Sequence, residues 1–433
     1  MINKSLNSTL QSSLISPTRK GISLGFLILC ALIPFLMEAK KVKYSDGTVI
    51  YTLDTSTKKA TVTGVEEGSS SRKITIIDYI LNSDDGKTYT VNAIAKEAFM
   101  GSFLENVTLP STIETIGSRA FETCSLKKLE LPANLKTVGA YAFYDAFYSK
   151  NPIELVIPSG CTAIKGFAFN SCSIRSIRFN SKLTTLGEYS FANTDLTEVE
   201  VPASVTSLGD GVFAYCLKLT KASIKGNRTT LPYQFFDGCS ALTDVSLPST
   251  ITSFGQWAFA NCTALKSLTL PASLKSVGDM GFYKSGLASI SLPNGIRTLG
   301  DHAFAYMPNL TQITIPASMT SIADYCFDGS EALMNVTALN PVPCHLGTCG
   351  FDSATYSNAT LNIPAGSERA YQLDREWSCF HYLFDLETGV EDISLTQTNS
   401  LNRRLILTEE GPVIELNDGN STIRYDLHGK RMD

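Results

Sequence analysis

Twelve phenylalanines mark off this chain like a ruler. Phe99, Phe121, Phe143, Phe169, Phe191, Phe213, Phe236, Phe259, Phe282, Phe304, Phe327 and Phe351 follow one another at intervals of 22 to 26, mostly 22 or 23. A period in this range specifies stacked supersecondary units, because one such unit cannot bury its apolar faces alone. A second signal keeps step. Leu109, Leu131, Ile157, Val201, Leu247, Leu270, Leu292, Ile315 and Ile363 are each followed by proline, and Phe179 and Ile224 fill the same slot without it.

One unit reads physically. "LKSLTLP" (Leu265–Pro271) repeats leucine over a short strand, and Pro271 ends it because proline cannot donate to a ladder. Leu274 and Val277 follow at turn spacing, a glycine closes the turn, and Phe282 returns to the core. Interval length has a local cause: four residues separate Phe121 from Leu126 in a 22-residue repeat, and five separate Phe213 from Leu219 in a 23-residue one. From Phe143 to Phe169 the added segment Asp145–Asn151 reads as a surface loop.

The shared pattern is L-x-x-[LIV]-x-[LIV]-P-x-x-[LIV]-x-x-[LIV]-G-x-x-A-F, over roughly residues 90–365. It resembles the BspA-like leucine-rich-repeat family of bacterial surface proteins. The resemblance implies a mostly β, right-handed leucine-rich-repeat solenoid of about twelve 22–26-residue units. It also implies attachment to host or bacterial surfaces, without an active site.

Flanking segments set the expected organisation. Lys4, Arg19 and Lys20 precede an apolar run from Gly21 to Met37, closed by Glu38, Ala39 and Lys40-Lys41. This is a secretory-signal pattern with cleavage near Ala39. A retained anchor is the alternative, but the run falls short of the roughly 20 residues a span needs and Pro34 spoils its end. Lipid attachment at Cys30 would want a small residue before it, and Leu29 is large. Residues 1–39 thus read as a signal and the mature chain as exported, without a membrane span. Residues 40–92 read as a β-rich N-terminal cap, 93–339 as the repeats, 340–386 as a C-terminal repeat cap and 387–433 as a β tail of three short strands. Within the caps, "DGKT" (Asp85–Thr88) reads as a hairpin turn and "PAGSERAYQLDREW" as an N-capped helix. "YDLHGKR" (Tyr425–Arg431) looks like part of a C-terminal sorting module.

Five cysteines, Cys124, Cys172, Cys216, Cys239 and Cys262, stand three residues after a repeat phenylalanine, where Thr194, Met307 and Ser330 stand in other repeats. That is a slot for a small, buried side chain, and neighbouring thiols there would point the same way rather than at each other. Cys161 and Cys326 also fall at small or apolar slots. Cys344, Cys349 and Cys379 lie outside the register beside His345 and His381. Zinc, a disulfide and free thiols are the three readings there, and the spacing is not a strong zinc signature. The four histidines form no zinc-helix or hydrolase motif, so no catalytic residue, metal ligand or cofactor is assigned.

Composition narrows the partners. The 433 residues are 43 % hydrophobic and 18 % charged with net charge −5, which supports a folded core, and no Lys/Arg block suits nucleic acid. The residue before the last apolar strand position points outward. Down the stack these are Thr108, Glu130, Val156, Arg178, Glu200, Ser223, Ser246, Thr269, Ser291, Thr314 and Thr337. The first half is charged and varied; the second is an unbroken Ser/Thr row. Hydroxyls suit an exposed parallel strand; the functional alternative is a hydrogen-bonding face for a protein or glycan ligand. The candidate interaction face is Glu130, Arg178, Glu200, Ser223, Ser246, Thr269, Ser291, Thr314 and Thr337. The expected partner is an extracellular or cell-surface macromolecule: a host matrix protein, a bacterial surface protein or a glycan. A glycan would call for clustered exposed aromatics, for which Tyr141, Tyr144, Phe147 and Tyr148 are the candidates.

Overall fold

The computed structural model describes residues 41–147 and 152–386, together with four strands between 402 and 432. The signal segment and Tyr148–Asn151 lie outside the described residues. The chain winds into a mostly β solenoid of about 13 turns with almost no helix. Two parallel ladders and a row of turns enclose the core. One ladder consists of two-residue strands, from Thr115–Ile116 through Thr137–Val138, Ala163–Ile164 and Thr185–Leu186 to Ser207–Leu208. The other carries the longer strands that precede the Leu-Pro slot, such as Glu198–Val201, Lys221–Ile224 and Asp244–Ser246, paired in parallel register.

The third side is made of tandem turns. Ala120, Glu122 and Cys124 donate their N–H groups to the carbonyls of Gly117, Arg119 and Phe121 in their own turn. Arg119, Phe121 and Thr123, between them, donate to Ala140, Ala142 and Tyr144 of the next turn at 2.7–2.9 Å. Every backbone donor of the segment therefore has a partner, as a buried chain requires. The geometry puts Arg119 and Thr123 at φ 57° and 53°, a left-handed conformation that is uncommon for such residues. The same two positions recur at positive φ through most of the stack.

Inside the turns, the repeat phenylalanines form one continuous stack. All are at most 2 % exposed, and successive ring centroids lie 4.8–5.7 Å apart over most of the stack. Strand ladders repeat at about 4.8 Å, so one residue per turn is enough to keep rings and backbone in step. Each such aromatic pair contributes about 0.5–1.5 kcal/mol beyond its burial.

The stack widens at one place. Phe191–Phe213 and Phe213–Phe236 are 6.3 and 6.1 Å apart. The position before the ring is Ala98, Ala120, Ala142 and Ala168 in the early turns but Val212 and Phe235 here. Phe235 is fully buried and wedges edge-on against both Phe213 and Phe236. In the same repeat Pro232 occupies the slot of Gly209 and Gly255, whose N–H groups donate to Leu186 and Leu231 at 2.8 Å. Proline has no N–H to give Leu208. The short-strand ladder stops at Ser207–Leu208 and restarts at Thr230–Leu231. The turn side and the long-strand ladder continue across the gap, with Gly211 N donating to Tyr233 O at 2.8 Å and Glu200 registered with Ser223.

The caps cover the solenoid ends. Strands Lys41–Ser45, Val49–Asp54 and Lys59–Val65 form an antiparallel sheet whose last member pairs in parallel with Lys87–Ile94. Asp85–Thr88 lies in the hairpin between Tyr79–Asn82 and Lys87–Ile94, where the Asp85 carboxylate accepts from Lys87 N and Tyr89 Oη. Two expectations need correction. The helix after Ile363 spans only Glu368–Leu373, and Ser367 makes no side-chain cap bond, because its Oγ donates to Pro364 O. The terminal segment forms four antiparallel strands rather than three: Asn402–Thr408, Gly411–Asn417, Thr422–Asp426 and Arg431–Met432.

Phe259→Ala should destabilise the protein by roughly 3–5 kcal/mol, since it empties one layer of a stack that cannot collapse without breaking register. Chemical denaturation of the variant checks this; a loss near zero would mean the stack is not under packing constraint.

Candidate interaction surface

The outward row lies where the strand pleat puts it. Thr108, Glu130, Val156, Arg178, Glu200, Ser246, Thr269, Ser291 and Thr314 are exposed, and Ser223 and Thr337 are half-exposed. Ser223 registers with Glu200 and Ser246, and Thr314 with Ser291 and Thr337, so the row is continuous within each block of strands. Glu130 and Thr269 hold the same place in turns whose segment makes no assigned strand.

Charges beside the row are largely paired across turns. Glu154 meets Arg175 at 2.8 Å, Lys221 meets Asp244 at 3.0 Å, and Glu200 meets Lys225 at 3.8 Å. Glu105 accepts from Lys127 and Arg72 at 2.6 and 2.7 Å, and these two bonds hold its carboxyl below the usual range. Exposed pairs of this kind add little to stability, because water and salt screen them. Glu130 and Arg178 make no ion pair among the described residues.

A second row runs along the turn side. It begins with the Arg119 guanidinium over Tyr141, which stacks on Phe167, which stacks on Tyr189. It resumes with Trp257, Tyr283 and Tyr306 in contact at 5.7 and 5.5 Å, Lys284 over the last two rings, and His302 on Tyr325. Tyr215, Tyr306 and Tyr325 stay 45, 44 and 39 % exposed.

The tyrosines are held, not loose. Tyr215 and Tyr306 lie across Gly238 and Gly329 of the following turns, where an added Cβ would fall 2.5 and 2.6 Å from the rings. Burial, and then the negative charge of Asp237, raises the Tyr215 phenol above its ordinary range, and the charge of Asp328 raises that of Tyr306. Asp237 is itself buried, accepts from Asn261 and Gln234 at 2.9 and 3.1 Å, and is pushed up by burial. Sequence reasoning missed this row. Its signal was an Asp-Gly pair one turn after a tyrosine, at 237–238 after Tyr215 and at 328–329 after Tyr306. The four aromatics expected near the inserted loop are not one cluster. Phe147 is fully buried against Phe143, Tyr141 and Tyr144 belong to the turn-side row, and Tyr148 lies outside the described residues.

The cysteine slot has a hydrogen-bonding role that its small size concealed. Cys124, Cys172, Cys216, Cys239 and Cys262 each donate Sγ–H to the carbonyl of the preceding repeat phenylalanine, at 2.9–3.3 Å. Ser330 does the same to Phe304 at 2.8 Å. Thr194, in the same slot, donates instead to Phe191 O of its own turn at 2.9 Å, and Met307 fills it without a side-chain donor. All ten described cysteines are free, eight of them buried. Burial raises the Cys172 thiol to about 12 and Cys216 to about 11. In the C-terminal cap Cys344 is buried beneath Trp377, whose indole donates to its carbonyl, while Cys349 and Cys379 are exposed. Among the described residues no group of three His, Cys, Asp or Glu side chains is placed to hold a metal ion.

A stack of 22–26-residue turns with Leu/Ile/Val ladders and a buried phenylalanine spine defines a leucine-rich-repeat β-solenoid. The model of the BspA type leucine rich repeat region matches with six copies over residues 92–146, 144–263 and 229–343, more than half the chain, and the chain belongs to that family. No curated protein sequence matches it. Among solved structures it is similar to a leucine-rich repeat protein from Bacteroides ovatus, with 22 % identity, TM-score 0.57, and 79 % of this chain and 88 % of that one covered. It is also similar to the pneumococcal vaccine antigen PcpA, with 18 % identity, TM-score 0.50 and coverage of 81 and 99 %. A leucine rich cell surface protein from Faecalibacterium prausnitzii aligns at 21 % identity and TM-score 0.48 over 81 and 99 %. The first two likenesses show the fold. Among the described residues no helix is long and apolar enough to cross a membrane.

Native-state alkylation at pH 8 should label Cys349 and Cys379 and leave the eight buried cysteines unmodified until the chain is denatured, because only a thiolate reacts. Mass spectrometry of the labelled peptides reads the result. Rapid native labelling of Cys216, Cys239 or Cys262 would mean that the stack opens.

Proposed function

We propose that this chain is a non-enzymatic binding protein, exported and displayed at the cell surface or released, that engages a host matrix or bacterial surface protein along an extended solenoid face. One observation carries the reading: the outward row from Thr108 to Thr337 repeats once per turn along one side of the molecule. Ten steps of about 4.8 Å between these positions give a display surface roughly 50 Å long, and solenoids commonly bind along such faces. The chain offers a macromolecule a long regular surface divided into a charged half and a hydroxyl half.

A glycan partner is the second reading. It is favoured by the turn-side aromatic row, whose rings are pre-positioned by neighbouring glycines and aspartates and so lose little freedom on stacking against a sugar.

The purified chain, probed against immobilised matrix proteins and polysaccharides, should capture a partner. Replacing Ser246, Thr269 and Ser291 by lysine should weaken that partner at least about tenfold with melting temperature unchanged, since like a rim of charge they obstruct the face without touching the core. Reversing Arg178 and Glu200 should weaken it in a salt-dependent manner. If both sets leave affinity intact while Tyr306→Ala and Tyr325→Ala abolish it, the turn side is the binding face and the glycan reading replaces the first.

A further inference from the structure

The interruption of the short-strand ladder leaves a groove of about 560 Å³ between Ser207–Leu208 and Thr230–Leu231, within the roughly 300–1,000 Å³ range of small-ligand sites. Three features of this repeat make it: Pro232 in a glycine slot, Phe235 in an alanine slot, and the turn at Gly226, φ +90°, that brings Arg228 in beneath it. Arg228 is half-buried. Its Nη2 donates to Val205 O and Lys225 O at 2.8 and 3.0 Å and its Nε to Lys225 O at 3.2 Å. Nη1 has no partner among the described residues, and no carboxylate pairs with the guanidinium.

A partly desolvated guanidinium held rigidly by carbonyls, with one N–H edge unused, is matched by a carboxylate, which accepts from it in the strong charge-assisted geometry. The rest of the lining is mixed: Asn227, Thr206 and Thr229 offer amide and hydroxyl groups, Asp210 a carboxylate, Val205, Leu208, Leu231 and Pro232 apolar walls, and Tyr233 a ring 37 % exposed. Hydroxyl and amide groups set among short apolar walls suit a hydroxylated ring, whose faces are C–H and whose edges are polar. Asp210 accepts from hydroxyls and repels a second anion, so the ligand carries one carboxylate at the Arg228 end and no string of phosphates. We propose that this groove binds a carboxylated sugar, the acidic residue of a glycan, with its carboxylate on Arg228 and its ring on Tyr233. The site lies on the short-strand side, apart from the long-strand row and independent of the partner proposed for it.

The test uses the full chain and two single-carboxylate probes, an aldobiouronic acid and sialyllactose, each with its methyl ester as the neutral counterpart. Saturation-transfer NMR and calorimetry read binding. At least one acid should bind, with its neutral counterpart at least about tenfold weaker, as loss of a charged hydrogen bond requires. Which acid binds identifies whether a uronic or a sialic sugar is the source. Arg228→Gln should weaken the acid to the level of the neutral form. Because Arg228 also bonds two carbonyls, Thr206→Trp, an exposed position that fills the groove, serves as the second variant and should abolish binding with the melting temperature unchanged. Equal binding of acid and neutral sugar, no binding of either acid at 10 mM, persistence of binding in Thr206→Trp, or displacement of the sugar by triglutamate at equal concentration would each overturn the proposal. Lysine substitutions at Ser246, Thr269 and Ser291 should leave this binding unchanged, which separates failure of the groove from failure of the long-strand face.

Discussion

Two spacings have to agree in this molecule. Hydrogen-bonded strands repeat at about 4.8 Å, and the phenylalanine rings that fill the interior repeat at 4.8–5.7 Å over most of the stack. Because the intervals nearly coincide, each turn satisfies its backbone and buries its ring in a single translation. In six turns the cysteine or serine three residues later completes the arrangement by donating to the phenylalanine carbonyl one turn back. Every other feature of the solenoid is arranged around that common step.

Where the step is disturbed, the response is local. Val212 and Phe235 add bulk beside the rings, the stack expands to 6.1–6.3 Å, and the weakest lateral bonding, a two-residue ladder already deprived of a donor by Pro232, gives way. The long-strand ladder and the tandem turns hold across the same gap because each has several bonds per turn. A close-packed interior transmits added volume instead of absorbing it, and the surface consequence is a groove on the short-strand side.

Regularity also determines what the faces can do. On the long-strand side, register turns one residue choice per repeat into a linear row, charged in the first half and hydroxylic in the second. The turn side needs a left-handed residue on each flank of the ring, and there the chain alternates tyrosines with the glycines that receive them. A bulky ring at one turn requires an empty position at the next, so Tyr215 and Gly238, or Tyr306 and Gly329, form single structural units split across two repeats.

Period, ring register, the Leu-Pro strand ends, the outward row and the hairpin at Asp85–Thr88 were all legible in the sequence, because each depends on spacing along the chain and spacing alone sets which side of a strand or turn a residue occupies. The family pattern carried the same information. What the sequence left open depends on distances between turns. Phe147 and Tyr144 are both aromatics beside the inserted loop, yet one is buried and the other joins the turn-side row. Ser367 looks like a helix cap, but a nearer carbonyl takes its hydroxyl. Leu231-Pro232 resembles the strand-ending Leu-Pro of other repeats while standing in the glycine slot. Its effect is invisible until the neighbouring turns are stacked and Leu208 is seen to lose its donor. One-dimensional register determined the solenoid; the contacts of each residue with the turns above and below it decided where that solenoid opens.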